Sequence, residues 1–574
     1  MKRIILSAIC CSILFFGYSQ KNKNDFSKGQ CSIYYSHYEN GNPDNETNPT
    51  ALTIEGGRSS IRELFGEKKM IPQVPIEEGF VFSDSAKWFQ TAQLSSGEKI
   101  MYVIPLEKLP KLEKTARKDT ILGYVCEVFT TTLRSNRIDI SVYHSDGIKA
   151  TPAPSLGVPD GIALRIVMNG NTEIRATKIT KNIASKKITL PANYKTLPNT
   201  AYRAAITAGY VTTIPIFQNQ QICFGCMDST IQNDNKLTQI IRVANGTVVL
   251  KKVCMPKFEP GTLFAELTEF SNGDAYDRTG SVFMIPVNLP KTFLQGCLEG
   301  KNKLPYIVGR NGKTYQGVVA TESYEPIVEL LRFYTPFGIH HFNSQVAVEG
   351  LAWNDSAFYK QDITPLLSLL TGDVWIGTFI GNYDKGGHRI NLSLKYYPDS
   401  KEIGNTPSPK GKPWIKPLFC TTNVLEMAGQ EYGTLFDQDS LTINFTIPEG
   451  ITNLKLRYIT TGHGGWGEGD EFNPKENEIF IDGRKVFGFI PWRTDCGTYR
   501  LLNPASGNFW NGTSSSDYSR SGWCPGTATN PIDIPISFLS AGIHTMKIAI
   551  KQGSPDGSSF SAWNISGVLI GAQK

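Results

Sequence analysis

Past its first residues the chain contains no apolar run of the roughly 18 residues that a membrane helix requires. Charge is also sparse. Only 19% of the 574 residues are Asp, Glu, Lys or Arg, and the formal net charge is +6. Without a dense basic tract there is no footprint for nucleic acid, and no nucleic-acid partner is expected. Histidine is rare: His37, His144, His340, His341, His388, His463 and His544 are all there is. None forms a His-x-His pair, so the adjacent His340 and His341 cannot complete two copper sites. No second cysteine pair accompanies Cys223-Phe-Gly-Cys226, and no βαβ pattern surrounds it, which argues against zinc and against a thioredoxin-like motif. A local disulfide or two separately paired cysteines is expected there. Helical periodicity is brief, at best near Ile61–Phe65 and Ile327–Leu331, and no short repeat occurs.

Hydrophobic residues make up 40% of the chain, enough for ordinary cores, and the length suggests about three domains. Lys2 and Arg3, an apolar run from Ile4 to Phe16, and Gly17-Tyr18-Ser19 read as a secretory signal over residues 1–19. Cys10 and Cys11 offer a lipoprotein site, but the apolar run continues past them. A secreted or periplasmic protein is therefore expected, with no membrane span. Export permits disulfides. Nine of the 11 cysteines lie beyond the signal, and an odd count leaves at least one thiol unpaired within the chain.

The dominant signal is alternation. Leu441–Ile447, Ile390–Leu394 and Met546–Ile550 each place apolar residues at every second position. Glu478–Ile481, then Asp482-Gly483, then Lys485–Phe487 is a strong hairpin pattern. Many short strands separated by turn residues predict an all-β protein of sandwiches or barrels. Soft boundaries near 204–209 and in the Pro-rich run 405–413 divide it into 20–205, 206–400 and 410–574. In the first segment, Leu156-Gly-Val-Pro-Asp-Gly-Ile162 resembles a bacterial envelope family with a Gly-Leu-Pro-Gly-Leu-Ile signature. Its members are thought to be bowl-shaped half-barrels, which implies a scaffold or a ligand-binding bowl.

The densest chemistry lies late. Thr461–Gly469 holds five glycines in nine residues and suits a loop that brings backbone close to a ligand. Trp466 within it fits a sugar-stacking platform. Glu468, Asp470 and Glu471 follow. Cys496 and Cys524 can close a loop crowded with Trp510, Tyr518, Arg520 and Trp523, and such a disulfide would fix it.

Thr461-Gly-His463, Asp470-Glu471-Phe472, Asn508-Phe-Trp510 and Arg520-Ser-Gly-Trp523-Cys524-Pro-Gly526 together resemble the C-terminal half of the peptide-N-glycosidase F family. These are bacterial amidases acting on the glycan–asparagine linkage. The resemblance covers about residues 250–574. It implies two eight-stranded jelly rolls packed side by side with the active site between them. Gly273-Asp274-Ala-Tyr276-Asp277-Arg278 matches the family's catalytic Asp-Arg pair. Asp277 thus becomes the principal catalytic residue and Glu471 the second catalytic carboxylate. Tyr276, Arg278, His463, Trp466, Arg520 and Trp523 are implied in substrate binding. The expected partner is an N-linked glycoprotein or glycopeptide and the expected state a monomer, with no metal and no cofactor.

The family's cysteine pairs near these two carboxylates are absent. So are an acidic residue and a tryptophan expected at the end of the first jelly roll, where Gly377-Thr-Phe379-Ile-Gly381 stands and Asp384 is the nearest carboxylate. This predicts an open rim that admits an extra substituent on the first sugar, such as a core fucose, unless Tyr383 or a neighbour fills the space. Residue types alone leave a glycosidase or a non-catalytic glycan-binding protein open as rival readings.

Overall fold

A computed structural model describes residues 30–44, 47–64, 75–94, 96–182, 187–232, 239–258, 261–398, 412–464, 469–555 and 560–574. The expected signal, Trp466, Glu468 and most of the Pro-rich linker fall outside these. The chain is all-β and separates into two compact units. One ends at Tyr210, and the other begins at Val211 and contains both C-terminal sandwiches. Among the described residues no helix is long and apolar enough to cross a membrane.

The first unit is one 14-stranded sheet, almost wholly antiparallel. Its long strands include Gln30–Glu39, Tyr124–Leu133 and Thr172–Asn182. Apolar side chains from opposite ends of this strand order belong to one core, Ile100, Tyr102, Ile121 and Cys126 among them. The helix Asn199–Gly209 adds Tyr202, whose ring packs edge-on against Tyr102 at 4.7 Å and whose hydroxyl donates to Glu77 at 2.7 Å.

In the second unit, the first sandwich pairs a four-stranded sheet with a six-stranded one. The latter is extended at its edge by Ala528–Thr529 from later in the chain. The second sandwich is two four-stranded sheets. Leu441–Ile447 alternates buried and exposed at every residue, as an antiparallel strand with one wet face must. Asp482 and Gly483 take φ of 50° and 79° in the hairpin between Asn477–Ile481 and Arg484–Phe489. Those angles suit the tight primed turns that Asp-Gly favours.

Within the two stretches of helical periodicity, Phe65 lies outside the described residues, while Ile61–Glu63 lies in the strand Arg58–Glu63 and Val328–Leu331 in the strand Val328–Tyr334. In the latter all seven residues are buried, because one face meets its own core and the other meets the second sandwich. A strand buried on both sides loses its period of two, so periodicity cannot tell it from a buried helix.

Candidate active site

Asp277 lies in the connection between Gly261–Ser271 and Thr279–Ile285, two strands of the first sandwich that belong to different sheets. Asp274 organises that connection. Its Oδ1 accepts the Tyr276 N–H at 3.0 Å and an Arg278 Nη2–H at 3.2 Å, and its Oδ2 accepts Arg278 Nε–H at 2.8 Å. Gly273 has φ 148°, and a Cβ there would come within 2.7 Å of the Asp384 carboxylate. Behind Asp274, His388 is buried between two carboxylates, 2.7 Å from Glu269 Oε1 and 3.5 Å from Asp274 Oδ2. Burial alone would discharge the imidazole. Asp274 and Glu269 outweigh it and raise the His388 pKa to about 9. Despite its burial, Asp274 is in turn held well below the usual carboxylate range by His388 and Arg278.

Glu471 comes from the second sandwich, and Arg520 joins the two carboxylates. Arg520 Nε donates to Glu471 Oε1 at 2.9 Å, and Nη2 reaches Asp277 Oδ2 at 3.4 Å. Nη1 is taken by the carbonyls of Ser515 at 2.6 Å and Tyr518 at 3.3 Å. The guanidinium is 1% exposed and lies over the rings of Phe472 and Trp523. Trp523 is itself only 3% exposed. Its indole N–H donates to the Gly462 carbonyl, and its ring stacks on Tyr334 at 4.1 Å. The disulfide Cys496–Cys524 anchors this segment, and Cys223–Cys226 forms the local bridge.

A fully buried ion pair backs the site where the sandwiches meet. Arg332 Nε donates to Glu329 Oε1 at 2.8 Å, and Glu329 also accepts from Ser281 and Ser566. The remaining Arg332 donors cross the seam to Thr461 Oγ1 at 3.0 Å, Thr422 Oγ1 at 2.7 Å and the Asn564 carbonyl at 2.8 Å. Tyr334 donates its hydroxyl to Thr461 Oγ1 at 2.7 Å. This network fixes the strand that ends at His463. Burial and the nearby Arg332 push the His463 pKa down to about 3, so its ring is neutral.

These groups converge on a cleft of about 360 Å³ lined by Asp277, Arg278, Glu471 and His463. Burial drives the Asp277 pKa up to about 7; Arg520 opposes the rise and the Glu471 charge reinforces it. Burial likewise raises Glu471 against the pull of Arg520. Tyr276 is 61% exposed and outside the lining, with Arg278 over its ring at 5.0 Å. Of the residues expected to bind substrate, the structure brings Arg278 and His463 into the cleft. Arg520 and Trp523 are buried beside it, their polar atoms engaged by carboxylates and carbonyls.

Sequence reasoning missed the opposite wall. Gly381 opens no gap: a Cβ there would stand 3.1 Å from the Phe379 ring and 3.2 Å from Glu426, which reaches it from the second half of the chain. Glu426 accepts hydrogen bonds from Tyr383, Tyr432 and Asn423, and all four residues line the cleft. An acid therefore does stand on this rim. Asp384 is not it, since its Oδ1 is committed to the Gly386 and Gly387 amides. Asn423 and Glu426 lie in the irregular stretch between Lys412–Cys420 and Leu441–Ile447, where no periodicity marks them.

Fold and site together define a double β-sandwich protein with a two-carboxylate cleft along its seam. The comparisons agree with that class. Residues 213–396 match the model of peptide-N-glycosidase F, N terminal, and 431–570 that of its C terminal. Residues 33–204 match the N-glycanase peptide, N-terminal domain. A solved structure of PNGF-II is 40% identical, covers 95% of this chain and 100% of its own, and superposes with a TM-score of 0.82. A second crystal form of PNGF-II gives 40% identity, 95% and 98% coverage, and a TM-score of 0.77. No curated protein matches the chain. The chain belongs to the peptide-N-glycosidase F family. Both Asn423 and Glu426 fall between the two matched sandwich segments.

Proposed function

We propose that this protein hydrolyses the amide between an N-linked glycan and its asparagine, releasing the glycan as a glycosylamine and leaving aspartate. The observation that carries the reading is the pairing of Asp277 and Glu471, one from each sandwich, on the single buried Arg520 in the cleft. The two carboxyls, both with raised pKa values, are held on one cation and titrate as a pair. Asp277 takes the proton of a water that attacks the side-chain carbonyl carbon. A carboxylate titrating near 7 is a far better base than an ordinary one and is still ionised in part. Asp277, having taken the water's proton, passes it to the departing nitrogen, while Glu471 stays ionised and holds Arg520 in place. Arg278 spends Nε and Nη2 on Asp274 and keeps Nη1 for the acyl oxygen as charge develops. Arg520 is a positioning residue, with every nitrogen already engaged.

The glycan would lie against the Tyr383–Glu426–Tyr432 wall, where aromatic faces and a carboxylate suit a sugar's apolar face and hydroxyls. The test is incubation with a defined N-glycopeptide followed by mass spectrometry. Aspartate in place of asparagine supports the amidase. Asparagine or asparagine-GlcNAc would make the protein a glycosidase, and unchanged substrate a binding protein.

A further inference from the structure

The first unit holds a larger hollow than the cleft. It has a volume of about 920 Å³, at the upper end of the roughly 300–1,000 Å³ typical of small-molecule sites. Its floor follows from the strand pattern. Trp88, Tyr102 and Ile138 from three strands are buried at its base, and Leu109, Leu156 and Met168 line it further out, half-buried. Trp88 is 5% exposed, yet its indole N–H has no acceptor among the described residues.

The rim has one sign. Lys108, Lys111, Arg134 and Arg203 line the hollow against a single carboxylate, Glu113. Arg203 donates to Asn199. Among the described residues, Lys108, Lys111 and Arg134 have no carboxylate within ion-pair distance, although ion pairs such as Lys114–Glu127 form on the neighbouring strands. Cations left unpaired above an apolar floor favour an anion with an apolar body. We propose that the first unit binds a free long-chain fatty carboxylate, with its alkyl chain along Leu109, Leu156 and Met168 and its head group at Lys108, Lys111 and Arg134. The site is independent of the glycan reading.

The full-length protein, titrated with cis-parinarate, should show saturable fluorescence that oleate displaces and methyl oleate does not. Lys111→Glu with Arg134→Glu changes only exposed side chains and should weaken binding at least about tenfold, with circular dichroism and glycopeptide cleavage unchanged. Leu156→Trp should block the hollow and also abolish displacement. Any of three outcomes overturns the proposal: no saturable binding, equal displacement by methyl oleate, or binding indifferent to both variants. Binding only to intact anionic vesicles, without displacement by oleate, overturns it as well.

Discussion

A carboxyl that is to take a proton from water near neutrality must be held where its charge is uncomfortable. Asp277 is such a group, and its pKa of about 7 sets an expected profile. kcat/KM should fall as pH drops through about 7, because the base becomes protonated. Glu471→Gln removes the negative charge that raises Asp277 and should move that midpoint downward; a profile flat through this range would remove Asp277 from the role. Asp277→Asn keeps the shape and should cost about 10²–10⁴-fold in turnover. It should also raise Tm above pH 7, since the native state no longer holds an unfavourable charge. His388 works in the opposite sense. Its folded pKa of about 9 lies above the ordinary 6.5, so its contribution is complete below about 6.5 and is lost as pH rises through 9. The stability penalty of His388→Gln in denaturant unfolding should therefore be largest near pH 6 and shrink by pH 10, from a maximum on the order of 3 kcal/mol. A penalty independent of pH would mean that the imidazole acts by packing alone.

At the level of elements, the seam strand Val328–Tyr334 carries a buried charge of each sign in a wholly enclosed segment. Glu329→Gln would leave Arg332 buried and uncompensated. The expected loss is about 3–5 kcal/mol in denaturant unfolding. Replacing both residues with leucine should cost less in stability while still lowering activity, because Thr461 and the His463 strand lose their tether. Equal losses for the single and double changes would count against this account. The cleft wall makes a separate prediction. Tyr383 lines this wall and donates to Glu426, so Tyr383→Ala should raise kcat/KM on core-fucosylated glycopeptides relative to matched unfucosylated ones, by roughly tenfold. An unchanged ratio would place the limiting wall elsewhere.

For the whole molecule, every residue lining the cleft lies in the second compact unit, and the fatty-carboxylate hollow lies in the first. A chain of residues 211–574 should therefore cleave small glycopeptides and fail to bind cis-parinarate. Mass spectrometry and fluorescence read the two halves separately. A folded but inactive 211–574 would show that the first unit takes part in catalysis.

The sequence by itself determined the strands that have one wet face, since alternation such as that of Leu441–Ile447 is a direct consequence of pleating. It also singled out Asp277, Glu471 and Arg520 through a rare-residue motif, and the structure sets the three side by side. It did not reveal which of the motif's residues touch the cleft. Trp523 and Arg520 look like sugar-binding side chains until packing buries them, and burial depends on partners such as Tyr334, some 190 positions earlier in the chain. Nor could it show that the acid missing beside Gly381 is supplied by Glu426, 45 residues on. The two are far apart in sequence, and only the packing of the chain brings them together.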